Sequence, residues 1–190
     1  MAWIDYKKYS HYPQLEQLFQ TGLLDYANLR DKDIKQMSDN ILKAYSHIPW
    51  PDKVDWHIHP LIKGKQINKI YADYWPQTVN YAQNIPGLIS LNVNFVDGHS
   101  IIPDHRDDML MLTEVEEWRK ELGYITVIGI EMPGKNINEV GFHVNHVKKF
   151  IGTGDIVTFD GSSVHGGWNN TDKRRVTFYI SINKGNYAII

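Results

Sequence analysis

The segment Ile101-Ile-Pro-Asp-His-Arg-Asp-Asp108 sets a histidine and an aspartate two residues apart, at His105 and Asp107. On a strand or at its end, positions i and i+2 project to one side, so an imidazole and a carboxylate can meet one ion. A second histidine from a distant strand would complete a two-histidine, one-carboxylate facial set. That arrangement leaves about three positions open on non-haem Fe(II). With nine histidines and 22 acidic residues in the chain, about one such pair is expected by chance. Its weight therefore comes from what stands further along. Phe159-Asp-Gly-Ser-Ser-Val-His165 ends a strand-like run in a Gly/Ser turn, and Arg175 follows on the next strand. Inside a barrel, a cation there could pair bidentately with one carboxylate of a dicarboxylate whose other end chelates the metal. Strand parity turns only one of Arg174 and Arg175 inward, and the other is left on a solvated face with Lys173.

The elements that must position these groups are mostly strands. Leu88-Ile-Ser-Leu-Asn-Val-Asn-Phe-Val alternates apolar and polar residues, and Asp97-Gly98 ends it with turn chemistry. Tyr124–Met132, Ile156–Phe159 and Arg175–Ile182 read the same way, separated by Gly, Asp and Asn loops. Short strands so spaced suggest a sandwich or barrel rather than βαβ units. Residues 12–47 look helical, with Ile34, Met37, Ile41 and Tyr45 on one face and Asp31 or Asp33 near its start. Pro49 and Pro51 stop any helix. A further helix is expected from Thr113 to Leu122, opened by the Thr-x-x-Glu capping box and closed at Gly123. It would border or lid a pocket, with Met109 and Met111 as apolar lining. The fold class is mainly β with N-terminal helices around a double-stranded β-helix (jelly roll, cupin-like) core. It is one domain over 1–190, with a helical N-terminal layer and connecting segment at 1–87 and the β-helix at 88–184.

Composition narrows the chemistry. The 190 residues are 42% hydrophobic and 22% charged, a globular balance. A net charge of −2 argues against a general nucleic-acid or anionic-membrane binder. The chain has no cysteine, which removes disulfides, thiolate zinc sites, iron–sulfur clusters and a cysteine nucleophile together. Any metal is thus held by histidines and carboxylates. The start lacks the apolar run of a signal peptide and no run approaches a membrane span, so a soluble, cytoplasmic protein is expected.

The stretch from about Leu91 to Ile182 resembles the aspartyl/asparaginyl β-hydroxylase family of Fe(II)- and 2-oxoglutarate-dependent oxygenases. The likeness rests on the apolar-apolar-Pro lead Ile101-Ile102-Pro103, the Gly-then-Phe-Asp run, His165, and an arginine ten residues on. His105-Arg106-Asp107 is closer to the bacterial proline cis-4-hydroxylase branch than to the animal peptide hydroxylases, which carry glycine at Asp107. The resemblance implies that His105, Asp107 and His165 ligate iron and that Arg175 anchors 2-oxoglutarate. The implied reaction uses O₂ to hydroxylate an unactivated C–H bond of an amino acid, free or in a peptide, while 2-oxoglutarate becomes succinate and CO₂. Asp107 favours hydroxylation over halogenation, because related halogenases lack this carboxylate. Two departures stand out. Asp104 intrudes between Pro103 and His105, which the family places side by side. An auxiliary 2-oxoglutarate histidine of the animal branch falls at Val127, so another group must serve. Thr177 and Tyr179 share the inward parity of Arg175 and are candidates. Asn94, with Asn92, would bind 2-oxoglutarate or substrate if it faces inward.

The remaining histidines carry less. His57-Ile-His59 lacks the glutamate of a cupin pattern and reads as loop or substrate-facing surface. His143 and His146 lack a zinc-protease spacing and belong to a strand and its turn, from which His143 could approach a substrate. The competing reading is a non-catalytic metal-binding or interaction module on a jelly roll.

Overall fold

The structure is a computed structural model that describes residues 2–29, 39–40, 55–64, 66–107, 123–183 and 185. The four long runs expected as strands are β4 (Leu88–Val96), β6 (Tyr124–Glu131), β9 (Ile156–Asp160) and β11 (Arg175–Ile182). With β1 (Asp39–Asn40), β2 (Trp56–Lys63) and β3 (Gln66–Ile67) they form a larger sheet ordered β1-β2-β4-β11-β6-β9, with β3 pairing β2. A smaller sheet contains β5 (Ser100–His105), β7 (Val140–Val144), β8 (Val147–Lys149) and β10 (His165–Asn169), ordered β5-β10-β7-β8. Every ladder is antiparallel. From β4 to β11 the chain crosses between the sheets at nearly every step, so sequential strands seldom pair. That winding is a double-stranded β-helix.

Both faces of the larger sheet are covered at its centre, so β4, β6, β9 and β11 are largely buried, while β3 at its margin is exposed. On β11, Val176, Phe178, Ile180 and Ile182 pack outward into one apolar cluster, leaving Arg175, Thr177 and Tyr179 to face the smaller sheet. The outer cluster is roofed by α1 (Tyr12–Tyr26), α2 (Lys69–Ala72) and α3 (Pro76–Ala82). In α1, Leu15, Leu18, Gly22 and Asp25 fall on one buried face at three- and four-residue steps. Gly22 is required there, since a Cβ would stand 2.5 Å from the Phe178 ring. Asp25 reaches to the next helix: its carboxylate accepts from the N–H groups of Gln77 (3.3 Å) and Thr78 (2.7 Å). It thereby caps α3, whose own N-cap Trp75 makes no side-chain cap. A second cluster fills the space between the sheets, built from Ile125, Val127, Val140, Phe142, Val144, Val157 and Phe159. Among the described residues no helix is long and apolar enough to cross a membrane.

Two expectations change, and others lie outside the described residues. The helical reading of 12–47 is met by α1, but Asp39–Asn40 form a strand against His57–Ile58, where the edge of β2 offers backbone partners. The Ile34–Tyr45 face otherwise lies outside the described residues, as do the 113–122 helix, Met109 and Met111. Strand β2 falls within the stretch read as helices and connection. Its alternation is hidden by Pro60 and by a register shift between Pro60 and Ile62.

Candidate metal centre

Strands β5 and β10 lie side by side, and their ladder sets His105 directly opposite His165. The two rings stand 4.3 Å apart between centroids. Asp107 lies just beyond β5, its N–H bonded to the Gly161 carbonyl in the β9–β10 turn (3.2 Å). That turn is tied by Asp160, whose carboxylate accepts from the backbone and hydroxyl of Ser162 (3.1 and 2.8 Å). Gly161 must be glycine, because a Cβ would stand 2.9 Å from Asp107 Oδ2. Donor atoms of His105, Asp107 and His165 all lie within 4.8 Å of one another. The three sequence-expected ligands are therefore brought together.

Each imidazole is also oriented. His105 Nδ1 lies 2.7 Å from the Pro103 carbonyl and His165 Nδ1 lies 2.9 Å from the Ser163 carbonyl. Both Nδ1 atoms must carry the proton in these contacts, which aims each Nε2 at the centre, as metal-ligating histidines require. Burial, reinforced by the His165 charge, lowers the His105 pKa to about 4, so this ring is neutral and ready to donate a lone pair. Burial also pushes His165 down, but the adjacent Asp107 carboxylate, 3.6 Å away, outweighs it by charge and hydrogen bond, and the net direction is up. Two nitrogens and a carboxylate oxygen fit a divalent first-row metal such as iron.

Tyr179 was weighed from sequence only as a 2-oxoglutarate anchor. Its hydroxyl instead donates to Asp107 Oδ2 (2.8 Å) and lies 3.0 Å from His165 Nε2. Burial and the Asp107 charge hold this phenol protonated, its pKa well above the ordinary value. Trp56 was not anticipated: its ring lies 5.8 Å from that of His105, and its Nε1–H donates to the Asn94 amide oxygen (3.0 Å). Only the placement of β2 reveals it.

Arg175 is 1% exposed and crosses to the smaller sheet. Its Nη1 donates to the carbonyls of Gly141 (3.3 Å) and Trp168 (3.4 Å), and its plane lies over Phe142. Room for it exists because β10 carries Gly167, where a Cβ would stand 2.9 Å from Nη1. The Nε–H is buried with no partner, and no carboxylate pairs with this cation among the described residues. Burial lowers its pKa to about 10. Arg174 points the other way and pairs with Asp97 at 2.5 Å rather than joining Lys173 in solvent. Asn169, fully buried, holds this corner by donating to Val96, Asp97 and Lys173 carbonyls and accepting from Thr171. Thr177 and Asn94 face each other across β11 and β4 on the inner face, between Arg175 and Tyr179.

The other histidines stand apart. His59 faces the helices, stacked on Tyr71 and accepting from Trp75 Nε1 (3.2 Å). His57, Asp55 and Asp97 form a second group of close donors. That group is closed on itself, His57 bonding Asp55 and Arg174 neutralising Asp97. His143 sits on β7 and His146 in the following turn at positive φ, as the sequence suggests. His143 points to the outer side of the smaller sheet, however, where it meets Asp104 rather than the metal centre.

The family model of aspartyl/asparaginyl beta-hydroxylase matches residues 17–184. The chain belongs to that family. As a member of the aspartyl/asparaginyl β-hydroxylase family it is an oxygenase-type hydroxylase. No curated protein matches it in sequence. Among solved structures it is similar to an oxidoreductase of the 2OG-Fe(II) oxygenase family from Burkholderia pseudomallei, at 11% identity over 78% of this chain and 80% of that one, with TM-score 0.44. A Pseudomonas putida prolyl-4-hydroxylase is similar at 10% identity over 87% and 98%, with TM-score 0.43. A cupin 2 conserved barrel domain protein from Salinispora arenicola is similar at 12% over 74% and 91%, with TM-score 0.40.

Proposed function

We propose that the chain is an Fe(II)- and 2-oxoglutarate-dependent dioxygenase that hydroxylates an unactivated C–H bond of an amino acid, free or within a peptide. The observation that carries this is the convergence of His105, Asp107 and His165 with both imidazoles aimed by backbone carbonyls. Iron held there supplies the means to activate O₂ for C–H hydroxylation as 2-oxoglutarate is converted to succinate and CO₂. The chain's own part is placement. Tyr179 fixes the free oxygen of Asp107, leaving the other to face the centre. Arg175 offers a buried cation that no described residue neutralises, on the side where the second carboxylate of a dicarboxylate would be held. Thr177 and the Asn94 amide line the wall between, and Trp56 closes it beside His105. The neutral Thr/Asn wall suits a small zwitterionic substrate better than a nucleic acid.

The test is succinate formation from 2-oxoglutarate by purified protein with Fe(II) and O₂, across free amino acids including proline and short peptides. A substrate that stimulates O₂-dependent succinate and gains one oxygen atom supports the reading. Folded protein that binds neither Fe(II) nor 2-oxoglutarate refutes it and leaves the interaction module.

A further inference from the structure

Asp104, the residue that intrudes before the first histidine, is absorbed in a specific way. On β10 a single residue, Gly166, separates His165 from Gly167. On β5 two residues, Pro103 and Asp104, separate their partners His105 and Ile102. Two residues opposite one is a β-bulge. In an unbulged strand, positions 102 and 105 have opposite parity, so Ile102 in the core would force His105 to the outside. The bulge is what allows both to face inward.

An isolated bulge is a soft place on a strand at the edge of a sheet, and β5 is such a strand. Here it is tied down. The Asp104 carboxylate passes over Gly166 and accepts from His143 Nε2 at 2.8 Å. His143 is the residue paired with Gly166 on the far side, in β7. The contact therefore spans three strands, and it needs glycine in the middle. A Cβ at 166 would stand 3.0 Å from Asp104 Oδ1 and 2.9 Å from His143 Nε2. The His143 ring is itself held nearly parallel to Trp168 and His146, with centroids 6.4 and 6.3 Å away. Its Nδ1 is buried without a partner, so its polar contact goes to Asp104.

We infer that Asp104 and His143 are positioning residues: a clamp on the outer face that locks the bulge and so fixes the direction in which His105 meets the metal. The inference rests on the metal-centre reading above and adds to it a role for two residues that touch neither metal nor substrate. It also accounts for Gly166-Gly167 as a pair, one glycine making room for the clamp and the other for Arg175.

The experiment is anaerobic titration of the full chain with Fe(II), and with Co(II) as a redox-stable probe. The variants are Asp104→Ala, His143→Ala, the double variant and Asp104→Asn, with melting of each metal-free protein measured alongside. Each single alanine variant is expected to bind Fe(II) about tenfold more weakly, as for other outer supports of a metal ligand. The double variant should be no worse than either single one, since one contact is lost in all three. Asp104→Asn keeps an acceptor oxygen and should recover much of the affinity. Melting temperature should move little, because Asp104 is half exposed. Wild-type affinity in the alanine variants, or losses that multiply in the double variant, would overturn the clamp alone. A wild-type protein that binds neither ion overturns the metal-centre reading, and the clamp with it.

Discussion

Arg175→Met separates the demands of stability from those of binding, and the structure gives both signs. Burial takes the guanidinium well below its ordinary value, to about 10, and a drop of that size corresponds to about 3 kcal/mol against the charged form. The two carbonyl contacts of Nη1 are long, at 3.3 and 3.4 Å, and return about 1 kcal/mol each at most. Methionine has similar reach and would lie against Phe142, over which the guanidinium now sits. The metal-free variant should thus be more stable by about 1 kcal/mol, a rise of about 2–4 °C in melting temperature for a chain of this size. Binding should go the other way. Removing one partner of a buried charge pair costs about 2 kcal/mol or more, which is about 30-fold or more in 2-oxoglutarate Kd. The assay is thermal melting of the metal-free protein, paired with anaerobic 2-oxoglutarate titration in the presence of Fe(II), read from the visible charge-transfer band. Arg175→Lys should fall between, keeping the charge but not the fork. A methionine variant that melts lower and binds 2-oxoglutarate as tightly as wild type would refute the assignment of Arg175 as a cation kept for a ligand.

Tyr179→Phe removes the hydrogen bond that orients Asp107 and should weaken Fe(II) binding about tenfold in a folded protein; undiminished affinity in the same titration would show the phenol to be incidental. The pKa of His105 is lowered by the fold, so protonation favours the unfolded chain. Its contribution is complete above about pH 6.5 and is lost as pH falls toward 4, by about 3 kcal/mol at the limit. His165 runs oppositely, its contribution being present below pH 6.5 and lost as pH rises through its raised value. Urea midpoints at pH 7 and pH 5 should therefore drop more in wild type than in His105→Gln, and parallel drops would contradict the assignment. Asp25→Ala strips the cap from α3 and should cost about 1–2 kcal/mol in urea unfolding without touching metal affinity; an unchanged midpoint would mean that solvent or another group satisfies those N–H groups.

The parts of the site legible in sequence are those where side-chain type and strand parity suffice. His105, Asp107 and His165 converge as their order suggests, and parity placed Thr177 and Tyr179 beside Arg175. Parity alone could not choose between Arg174 and Arg175; the choice is made by Asp97, which takes Arg174 outside, and by Gly167, which opens space inside. Trp56 was illegible because β2 is broken by a proline and covered on both faces, so neither alternation nor polarity marks it. The Asp104 bulge was visible as an irregularity in the motif but not as a solution, since its consequence depends on which residue stands opposite. Parity made Tyr179 only a candidate for 2-oxoglutarate; its contacts with Asp107 and His165 could not be read, because the reach of a tyrosine has meaning only once the facing sheet is in place.

The amino-terminal segment has a consequence for how the molecule comes into being. Ile4 bridges Thr158 on the open side of β9, and Trp3 packs its ring against Phe142 and Phe159, the latter 4.8 Å from His165. Residues 3 and 4 leave the ribosome long before their partners exist, and they can settle only after β9 has joined the sheet. Until then the backbone of β9 is an unprotected edge on which another nascent chain could template. The closure that shields His165 is thus among the longest-range contacts in the chain. Its formation belongs to the slow end of folding, where β-rich topologies are most exposed to aggregation.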